Sequence, residues 1–372
     1  MSDTDGGQPK VVVVGGGYGG VTVAKGLDEV ADVVLVEPKA AFLHNVAALR
    51  ALVDPSWLSK VFMPYDSVLA RGRVVRDRAV TVDPGRVVTA SGEEIRADYV
   101  VLATGSAYPF PAKTDLVDTG AAREQFRKVN RTLAAADRVL LVGAGPVGVE
   151  LAGEVHAVWP DKAVTLLDTA GQLLGGLFKE ELKAELRRQL AELGVELVLG
   201  SPLQALPPTE PGEAGTFTVA TEDGVTVTAD IWFRCFGVVP NSDFLGPDLL
   251  PARRADGFVE IGPALQVAGQ DTVFAVGDVS TADAKMAGFA RREAQVVVDN
   301  ITALAAGRTE LAVYEPMGAS AIVIPIGPTG GSGQFPGQEG IVPAETVADL
   351  KGRDMMIGPF AELFGLAATA ED

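Results

Sequence analysis

Two stretches of the chain repeat one pattern of hydrophobic and polar positions, about 128 residues apart. Each opens with a run of aliphatic residues, passes through a glycine-rich turn into a helical pattern, and ends in a second aliphatic run closed by an acid. The first copy runs from Lys10 to Glu37 and the second from Arg138 to Asp168. A buried strand, a helix and a second buried strand give this pattern, so we predict a β-α-β unit that is used twice.

The turn between strand and helix has the spacing G-x-G-x-x-G in both copies. Glycines there let the backbone approach a pyrophosphate, whose charge is favoured by the free N–H groups of a helix N-terminus. The closing acids, Glu37 and Asp168, would accept hydrogen bonds from ribose hydroxyls. Because both copies are complete, we predict two dinucleotide sites rather than glycine-rich turns in an empty sheet. The turn residues are Gly15, Gly17, Tyr18, Gly19 and Gly20 in the first copy, and Gly143, Gly145, Val147 and Gly148 in the second.

Two such sites in one chain predict two dinucleotides, and a resident FAD with a visiting nicotinamide is the simplest pair. A flavin takes up a hydride and releases electrons singly or in pairs. Asp168 favours the free 2′-hydroxyl of NADH and repels a 2′-phosphate. Residues 169–176 hold no Lys or Arg to receive such a phosphate. We therefore predict FAD and NADH, with NADPH the less favoured nicotinamide.

Composition narrows the partners and the chemistry. The 372 residues include 31 Lys and Arg against 49 Asp and Glu, a net charge of −18, which argues against a nucleic-acid partner. The single cysteine, Cys235, excludes an intrachain disulfide and a cysteine-based metal cluster, and we expect it to be a buried core thiol. The two histidines leave little room for another metal site. With no signal peptide and no apolar run of about 18 residues, we expect a soluble, cytoplasmic protein without metal.

Longer motifs resemble a known group of flavoproteins. They are the first glycine turn with Glu37, the segments 42–50, 103–113 and 275–278, and the pair Lys285-Met286. The chain resembles the flavoproteins with two dinucleotide-binding domains, and among them the ferroptosis suppressor protein branch of the apoptosis-inducing-factor family and the type II NADH dehydrogenases. The resemblance covers residues 11 to about 305. The lone cysteine separates the chain from the branches whose electrons pass through a disulfide.

The resemblance implies an α/β fold with two Rossmann-type domains. The Gly277-Asp278 motif must return to the FAD that the first glycine turn holds, so the FAD domain is expected to be discontinuous, at residues 1–109 and 235–310. The NADH domain, residues 110–234, is inserted into it. Residues 311–372 would form a short C-terminal domain that covers the flavin.

The resemblance also implies roles for single residues. Glu150 would lie near the flavin and the nicotinamide and orient the carboxamide or tune the flavin; the alternative is an acid that caps its helix. Lys285 would stabilise charge on the reduced flavin; the alternative is a solvated loop lysine. Lys113 is more simply an interdomain-turn lysine, whereas His44 is equally consistent with a flavin-proximal role and with packing. Asp278 would bind the ribityl chain or the flavin-side phosphate region, and the backbone near Val80 would meet the adenine. The other expected cofactor contacts are Asn45, Arg50 and Met286 at the flavin, Gly237 at the NADH pyrophosphate, and Thr104, Gly105 and Gly277.

These expectations define an FAD-dependent NADH oxidoreductase. Without a disulfide relay, the reduced flavin must pass electrons directly to a diffusible acceptor, and the resemblance implies a quinone. Two alternatives stay open: a reductase of a ferredoxin-like protein or another small electrophile, and a slow-turnover flavoprotein that senses NADH and acts through partners. The apolar tail would allow peripheral membrane contact, but it lacks a basic face, so a helix packed on the flavin domain is favoured.

Overall fold

The computed structural model describes residues 8–176 and 178–366. Its α-helices are α1 (Tyr18–Leu27), α2 (Ala48–Val53), α3 (Leu58–Val61), α4 (Thr119–Ala135), α5 (Pro146–Val158), α6 (Glu180–Glu192), α7 (Ala287–Ala305), α8 (Ala344–Val347) and α9 (Ile357–Leu363). Its strands are β1 (Lys10–Val14), β2 (Asp32–Val36), β3 (Ala41–Leu43), β4 (Phe62–Pro64), β5 (Arg73–Val75), β6 (Ala79–Asp83), β7 (Arg86–Thr89), β8 (Glu94–Arg96), β9 (Tyr99–Leu102), β10 (Ser106–Ala107), β11 (Arg138–Val142), β12 (Ala163–Asp168), β13 (Glu196–Leu199), β14 (Phe217–Ala220), β15 (Thr226–Ala229), β16 (Ile231–Arg234), β17 (Val239–Pro240), β18 (Val273–Ala275), β19 (Ile322–Ile326) and β20 (Gly330–Gln334).

The first β-α-β unit lies at the centre of a parallel five-stranded sheet with the order β18-β9-β1-β2-β5. Val11 pairs with Val33 on one side and with Tyr99 on the other. Val11 to Val14 are all buried, as expected for a parallel strand that is covered on both faces. Helices α1 and α7 pack against each other beside this sheet. Val276, directly after β18, comes close to the first glycine turn, since an added Cβ at Gly19 would lie 2.9 Å from its side chain.

The second unit repeats the arrangement in a parallel four-stranded sheet with the order β13-β12-β11-β16. Its strands come only from residues 138–234, whereas the first sheet combines residues 10–102 with 273–275. Where the chain leaves the first unit and returns to it, β10 and β17 pair antiparallel, with Ser106 opposite Pro240. We keep the domain boundaries at 110 and 235 as a prediction that agrees with this division of the strands.

The C-terminal segment contacts both units. The β19–β20 hairpin packs on α5 so closely that a side chain at Gly153 would lie 2.5 Å from the backbone nitrogen of Gly327. In α9 and just beyond it, Phe360 and Phe364 are buried in the core of the first unit, so the predicted packing of this helix on the flavin domain is observed. In the described ranges, no helix is long and apolar enough to cross a bilayer.

The turns at Pro84-Gly85 and Ser91-Gly92 predict a hairpin-like stretch over residues 73–95. Both turns are present, since they join the antiparallel strands β6, β7 and β8. The structure differs in the first three residues, because Arg73–Val75 joins the first sheet beside β2. The pair Lys285-Met286 opens a helix as predicted, since Met286 is the N-cap of α7, which begins at Ala287.

Candidate functional site

In the first glycine turn, each glycine has its own structural reason. Gly15 has φ +101°, and a Cβ there would lie 2.5 Å from the carbonyl oxygen of Ala103. A Cβ at Gly20 would collide with the carbonyl oxygen of Gly15. At Gly17, in contrast, the nearest atom to such a Cβ is 4.0 Å away. The outer glycines are thus required for packing, and the middle one leaves open space at the start of α1.

The second glycine turn has the same geometry. Gly143 has φ +111°, with the carbonyl oxygen of Cys235 2.8 Å from an added Cβ, and Gly148 would collide with Gly143. Nothing lies within 4 Å of an added Cβ at Gly145. Helices α1 and α5 begin directly after Gly17 and Gly145, which supply no capping side chain. Both turns therefore present an open, positively polarised helix end, which fits the pyrophosphate of a dinucleotide.

The predicted acids lie beside these turns. The Oε2 atom of Glu37 accepts a hydrogen bond from the N–H of Gly16 at 2.8 Å. The Oδ2 atom of Asp168 accepts one from the N–H of Ala144 at 2.6 Å. The two strands of each unit are parallel neighbours, so the glycine turn and the acid lie at the same carboxyl edge of the sheet. The ribose of a bound dinucleotide lies at this edge in such folds.

A single 3₁₀ turn, Gly277–Val279, brings Asp278 to the first site, and Gly277 begins that turn with φ +72°. The Oδ2 atom of Asp278 accepts hydrogen bonds from Lys113 Nζ at 2.9 Å and from Ser106 Oγ at 2.7 Å. Burial works to raise the pKa of Asp278, but the Lys113 ammonium and the Ser106 hydroxyl outweigh burial and hold the pKa below its usual value. Lys113 is therefore the ion-pair partner of Asp278, a contact that the interdomain-turn interpretation did not include. Its place in the segment 103–113, which carries the resemblance, was the available signal.

Thr104 and Gly105 lie at the crossing between the two units. Thr104 Oγ1 donates to the carbonyl oxygen of Asn241 at 2.6 Å, and the N–H of Asn241 donates to the carbonyl oxygen of Gly105 at 3.0 Å. Nearby, Gly237 has φ +103°, and an added Cβ would lie 3.2 Å from the Arg234 guanidinium. These contacts position the linkers, and a cofactor role for Thr104, Gly105 and Gly237 stays a prediction.

Buried His44 and half-buried Tyr18 form a neutral pair against the C-terminal segment. His44 Nε2 lies 2.7 Å from the carbonyl oxygen of Met355, which can only accept, so Nε2 carries the proton and Nδ1 accepts from the Tyr18 hydroxyl at 3.1 Å. Burial lowers the pKa of His44 to about 4 and raises the pKa of Tyr18 well above its usual value. The ring of Phe360 lies 4.6 Å from the His44 ring. His44 is thus packed and uncharged at neutral pH.

Arg50 is engaged by protein groups. Its guanidinium is paired with the Glu154 carboxylate and donates to the carbonyl oxygen of Gly352 at 2.9 Å. Both charged side chains are nearly inaccessible to solvent, at 7% and 1% exposure. This arrangement ties α2 to α5 and to the C-terminal segment. The direct contact with flavin predicted for Arg50 stays a prediction, as does that for Asn45, which begins a half-buried 3₁₀ turn in the same segment.

Glu150 forms an ion pair that the sequence did not predict. It lies beyond the first turn of α5, so the interpretation as a capping acid is wrong. Its Oε1 atom is 2.8 Å from Lys351 Nζ, and the two side chains are only 11% and 16% exposed. Burial raises the pKa of Glu150, and the Lys351 ammonium opposes that rise. No local motif marks Lys351, because its partner is 201 residues away in the chain.

Lys285 is half-buried and engaged, so it is not a solvated loop lysine. Its Nζ atom donates to the carbonyl oxygens of Ser280 and Asp283 at 2.5 and 2.8 Å, and it lies 4.8 Å from the ring centroid of Phe258. Burial lowers the pKa of Lys285, and nearby acids, Glu293 first, oppose this. Val80 is exposed on β6, at 45%. The catalytic role of Lys285 and the adenine contact of Val80 stay predictions.

Cys235 is buried as predicted, and burial raises the pKa of its thiol to about 12. It is the only cysteine in the sequence. A thiol of this kind neither ionises at neutral pH nor finds a partner for a disulfide within the chain. The site therefore offers two dinucleotide turns and several buried charge pairs, but no dithiol relay.

Two glycine turns of one geometry, each with an acid at the end of its second strand, define a flavoprotein that binds FAD and a pyridine nucleotide. The chain belongs to the pyridine nucleotide-disulphide oxidoreductase family, which it matches over residues 9–302. It is thus an NAD(P)H oxidoreductase with FAD and a nicotinamide as its cofactors. When bound, the flavin supplies the acceptor of a hydride and the donor of electrons.

Individual known proteins agree with this membership. Ferroptosis suppressor protein 1 of Taeniopygia guttata is 32% identical over 357 residues, which cover 94% of this chain and 94% of that protein. Apoptosis-inducing factor homolog B of Dictyostelium discoideum is 28% identical over 318 residues, covering 81% and 82%. The structure of reduced Bacillus anthracis CoADR-RHD has a TM-score of 0.67 at 20% identity, covering 86% of this chain and 60% of that one. The predicted family, the α/β fold and the FAD and nicotinamide cofactors are confirmed.

Proposed function

We propose that this protein oxidises NADH and passes the electrons from FAD directly to a quinone. The observation that carries the proposal is the buried, solitary Cys235. In a family whose name refers to disulfide chemistry, this chain has no second thiol, so no internal disulfide can take the electrons. The acceptor must reach the flavin itself.

The preference for NADH rests on Asp168. Its carboxylate lies at the end of β12 beside the second turn, with Oδ1 accepting the N–H of Ala170 at 2.8 Å. A carboxylate held there accepts hydrogen bonds from a free 2′-hydroxyl, whereas a 2′-phosphate would bring like charges together. The following residues, 169–176, supply no Lys or Arg as a counter-charge.

The Glu150–Lys351 pair is our candidate for orienting the nicotinamide. Glu150 comes one turn after the open helix end at Gly145, and Lys351 reaches it from the C-terminal segment. The ammonium opposes the rise that burial causes in the pKa of Glu150 and so favours the ionised carboxylate, which can receive the N–H of a carboxamide. Lys113 and Lys285 add positive charge around Asp278, on the side of the first turn.

A quinone is a neutral acceptor, and it suits the uncharged aromatic groups that lie under the C-terminal segment. His44 and Tyr18 are uncharged, and they pack with Phe42 and Phe360 under the C-terminal segment. The resemblance to ferroptosis suppressor and type II NADH dehydrogenase proteins supports the same acceptor. An acidic ferredoxin is less well matched, because the net charge of −18 would repel it.

An anaerobic acceptor panel tests the proposal. The holoenzyme is mixed with excess NADH and, in turn, short-chain ubiquinone, a menaquinone analogue, ferricyanide and a ferredoxin. We expect fast turnover with a quinone. Turnover should be unchanged in Cys235→Ala, because the Cys235 thiol does not relay electrons in the proposed reaction. Turnover with ferredoxin alone would favour the protein-reductase alternative. Fast flavin reduction with slow reoxidation by every acceptor would favour the NADH-sensing alternative.

A further inference from the structure

Glu293 on α7 is a buried acid that neither the motifs nor the proposed electron transfer uses. It is 1% exposed, and its Oε2 atom accepts the N–H of Gly277 at 2.6 Å. Gly277 in turn lies against α7, with an added Cβ 3.3 Å from Ala290 Cβ. Glu293 thus holds, from its place on α7, the turn that presents Asp278 to the first dinucleotide site.

This support is next to the place where the FAD pyrophosphate would bind. An added Cβ at Gly19, in the first turn of α1, would lie 2.9 Å from Val276 and 3.3 Å from the carbonyl oxygen of Ala290. The open helix end of α1 and the Gly277 turn therefore share one wall of the site. A diphosphate held at that helix end adds negative charge beside a carboxyl group that is already out of water.

Of the three neighbouring acids Asp278, Asp283 and Glu293, Glu293 has the fewest hydrogen-bond donors and positive charges to balance its own charge. Asp278 is held by Lys113 and Ser106, and the pKa of Asp278 lies below its usual value. Asp283 accepts from the Tyr314 hydroxyl and the Met317 and Gly318 N–H groups, at 2.7, 2.8 and 2.7 Å. Against burial, these donors hold the pKa of Asp283 low as well.

Glu293 takes one hydrogen bond, from Gly277, within the described ranges. Burial raises the pKa of Glu293 to about 7; the Gly277 N–H and Lys285 oppose this rise, and Asp283 and Asp278 reinforce it. Lys285 is itself half-buried and shared with Ser280 and Asp283. Tyr314 is the remaining titratable neighbour, with the Arg292 guanidinium 5.4 Å from its ring centroid.

We infer that the Glu293 side chain is protonated, as a neutral carboxylic acid, in the FAD-bound protein. FAD binding is then coupled to the uptake of a proton by this side chain. One oxygen of the neutral acid still accepts the Gly277 N–H, and the other carries the proton. The inference rests on FAD at the first glycine turn and is independent of the electron acceptor. Failure of the quinone proposal would therefore leave it unchanged.

The sign of the coupling follows from linkage. A ligand that binds better to the protonated form loses affinity as pH rises above the pKa of the free form, by up to tenfold per pH unit. The dissociation constant of FAD is therefore expected to be nearly constant below about pH 7 and to increase toward pH 9. Glu293→Gln keeps the hydrogen-bond acceptor but cannot ionise, so its dissociation constant should stay flat.

The experiment measures the FAD dissociation constant by flavin fluorescence on serial dilution of the full-length holoenzyme between pH 6 and 9. The arms are the unsubstituted protein, Glu293→Gln and Asp299→Asn, which removes an exposed acid from the same helix. We expect Asp299→Asn to follow the unsubstituted protein. Glu293→Gln should bind FAD at least about tenfold more tightly than that protein at pH 8.5.

A second readout does not depend on affinity. The infrared spectrum of the oxidised holoenzyme near pH 7 should contain a carboxylic acid C=O band that Glu293→Gln lacks and Asp299→Asn retains. A flat FAD affinity in the unsubstituted protein would overturn the inference without any variant, even if Glu293→Gln does not fold. Weaker binding in Glu293→Gln with the pH slope kept would also overturn it, because the group would then act as an anion.

Discussion

The buried pair of Arg50 and Glu154 gives the sharpest test of how the C-terminal segment is held. Arg50→Met removes the guanidinium but keeps much of the side-chain volume. The Glu154 carboxylate, 1% exposed, is then left without its partner, and the carbonyl oxygen of Gly352 loses its donor. Breaking a buried ion pair from one side costs about 3–5 kcal/mol, which is a large share of the stability of a typical domain.

A double variant separates the loss of the pair from the loss of packing. Arg50→Met with Glu154→Leu removes both charges and fills the site with apolar groups, and such replacements are often neutral or stabilising. We expect it to recover most of the 3–5 kcal/mol lost in the single variant. Glu154→Leu alone also leaves a buried charge unpaired, so the interaction free energy from the four-protein cycle should be at least about 3 kcal/mol in magnitude.

The assay is urea unfolding followed by tryptophan fluorescence at a fixed excess of FAD, with the FAD dissociation constant of each of the four proteins measured so that its ligand stabilisation can be subtracted. Trp57 is a suitable local probe, because the Arg50 guanidinium lies 5.2 Å from its ring centroid. The reasoning is refuted if Arg50→Met costs less than about 1 kcal/mol, the value expected of an exposed pair. It is also refuted if the double variant is no more stable than the single one.

Three further substitutions probe the cofactor sites. Asp168→Ala should reduce the ratio of NADH to NADPH efficiency about 10- to 100-fold, the worth of a charge-assisted hydrogen bond, as measured from kcat/KM for both nucleotides; an unchanged ratio would remove Asp168 from this role. Lys113→Met leaves Asp278 without its ammonium partner, and we expect FAD to bind about tenfold more weakly in the dilution assay; equal affinity would assign Lys113 to the interdomain turn alone. Lys351→Met removes the group that opposes the rise in the pKa of Glu150, so the pKa moves further up and the acid loses its carboxylate form at higher pH. On acidification, the stopped-flow rate of flavin reduction by NADH should then begin to fall at a higher pH in Lys351→Met than in the unsubstituted protein. Identical pH profiles for the two proteins would contradict the role assigned to this pair.

The features that local pattern predicted are those that local physics requires. The outer glycines of both turns would collide with backbone if they carried a Cβ, so their spacing reports the fold directly. Glu37 and Asp168 lie at strand ends that the hydrophobic runs already delimit. Cys235 sits in an apolar run, and its burial follows from β16 lying beside β11.

The charge pairs could not be predicted in this way. Arg50 meets Glu154 across 104 residues, Lys113 meets Asp278 across 165, and Glu150 meets Lys351 across 201. A chain with 31 basic and 49 acidic side chains allows very many such pairings. Periodicity gives no preference among them, because a lysine on a turn has the same pattern whether it is solvated or paired.

The sequence by itself therefore determined the two β-α-β units, their open helix ends, the acids beside them and the absence of a disulfide relay. These depend on steric limits and on residue type within a few positions of each other. Only the tertiary structure decided which charges are buried together, that the C-terminal segment binds both units, and that Glu293 lies under the Gly277 turn. The physical reason is that burial and electrostatic pairing depend on distances between segments, which the packing of the sheets and helices sets and a local pattern does not contain.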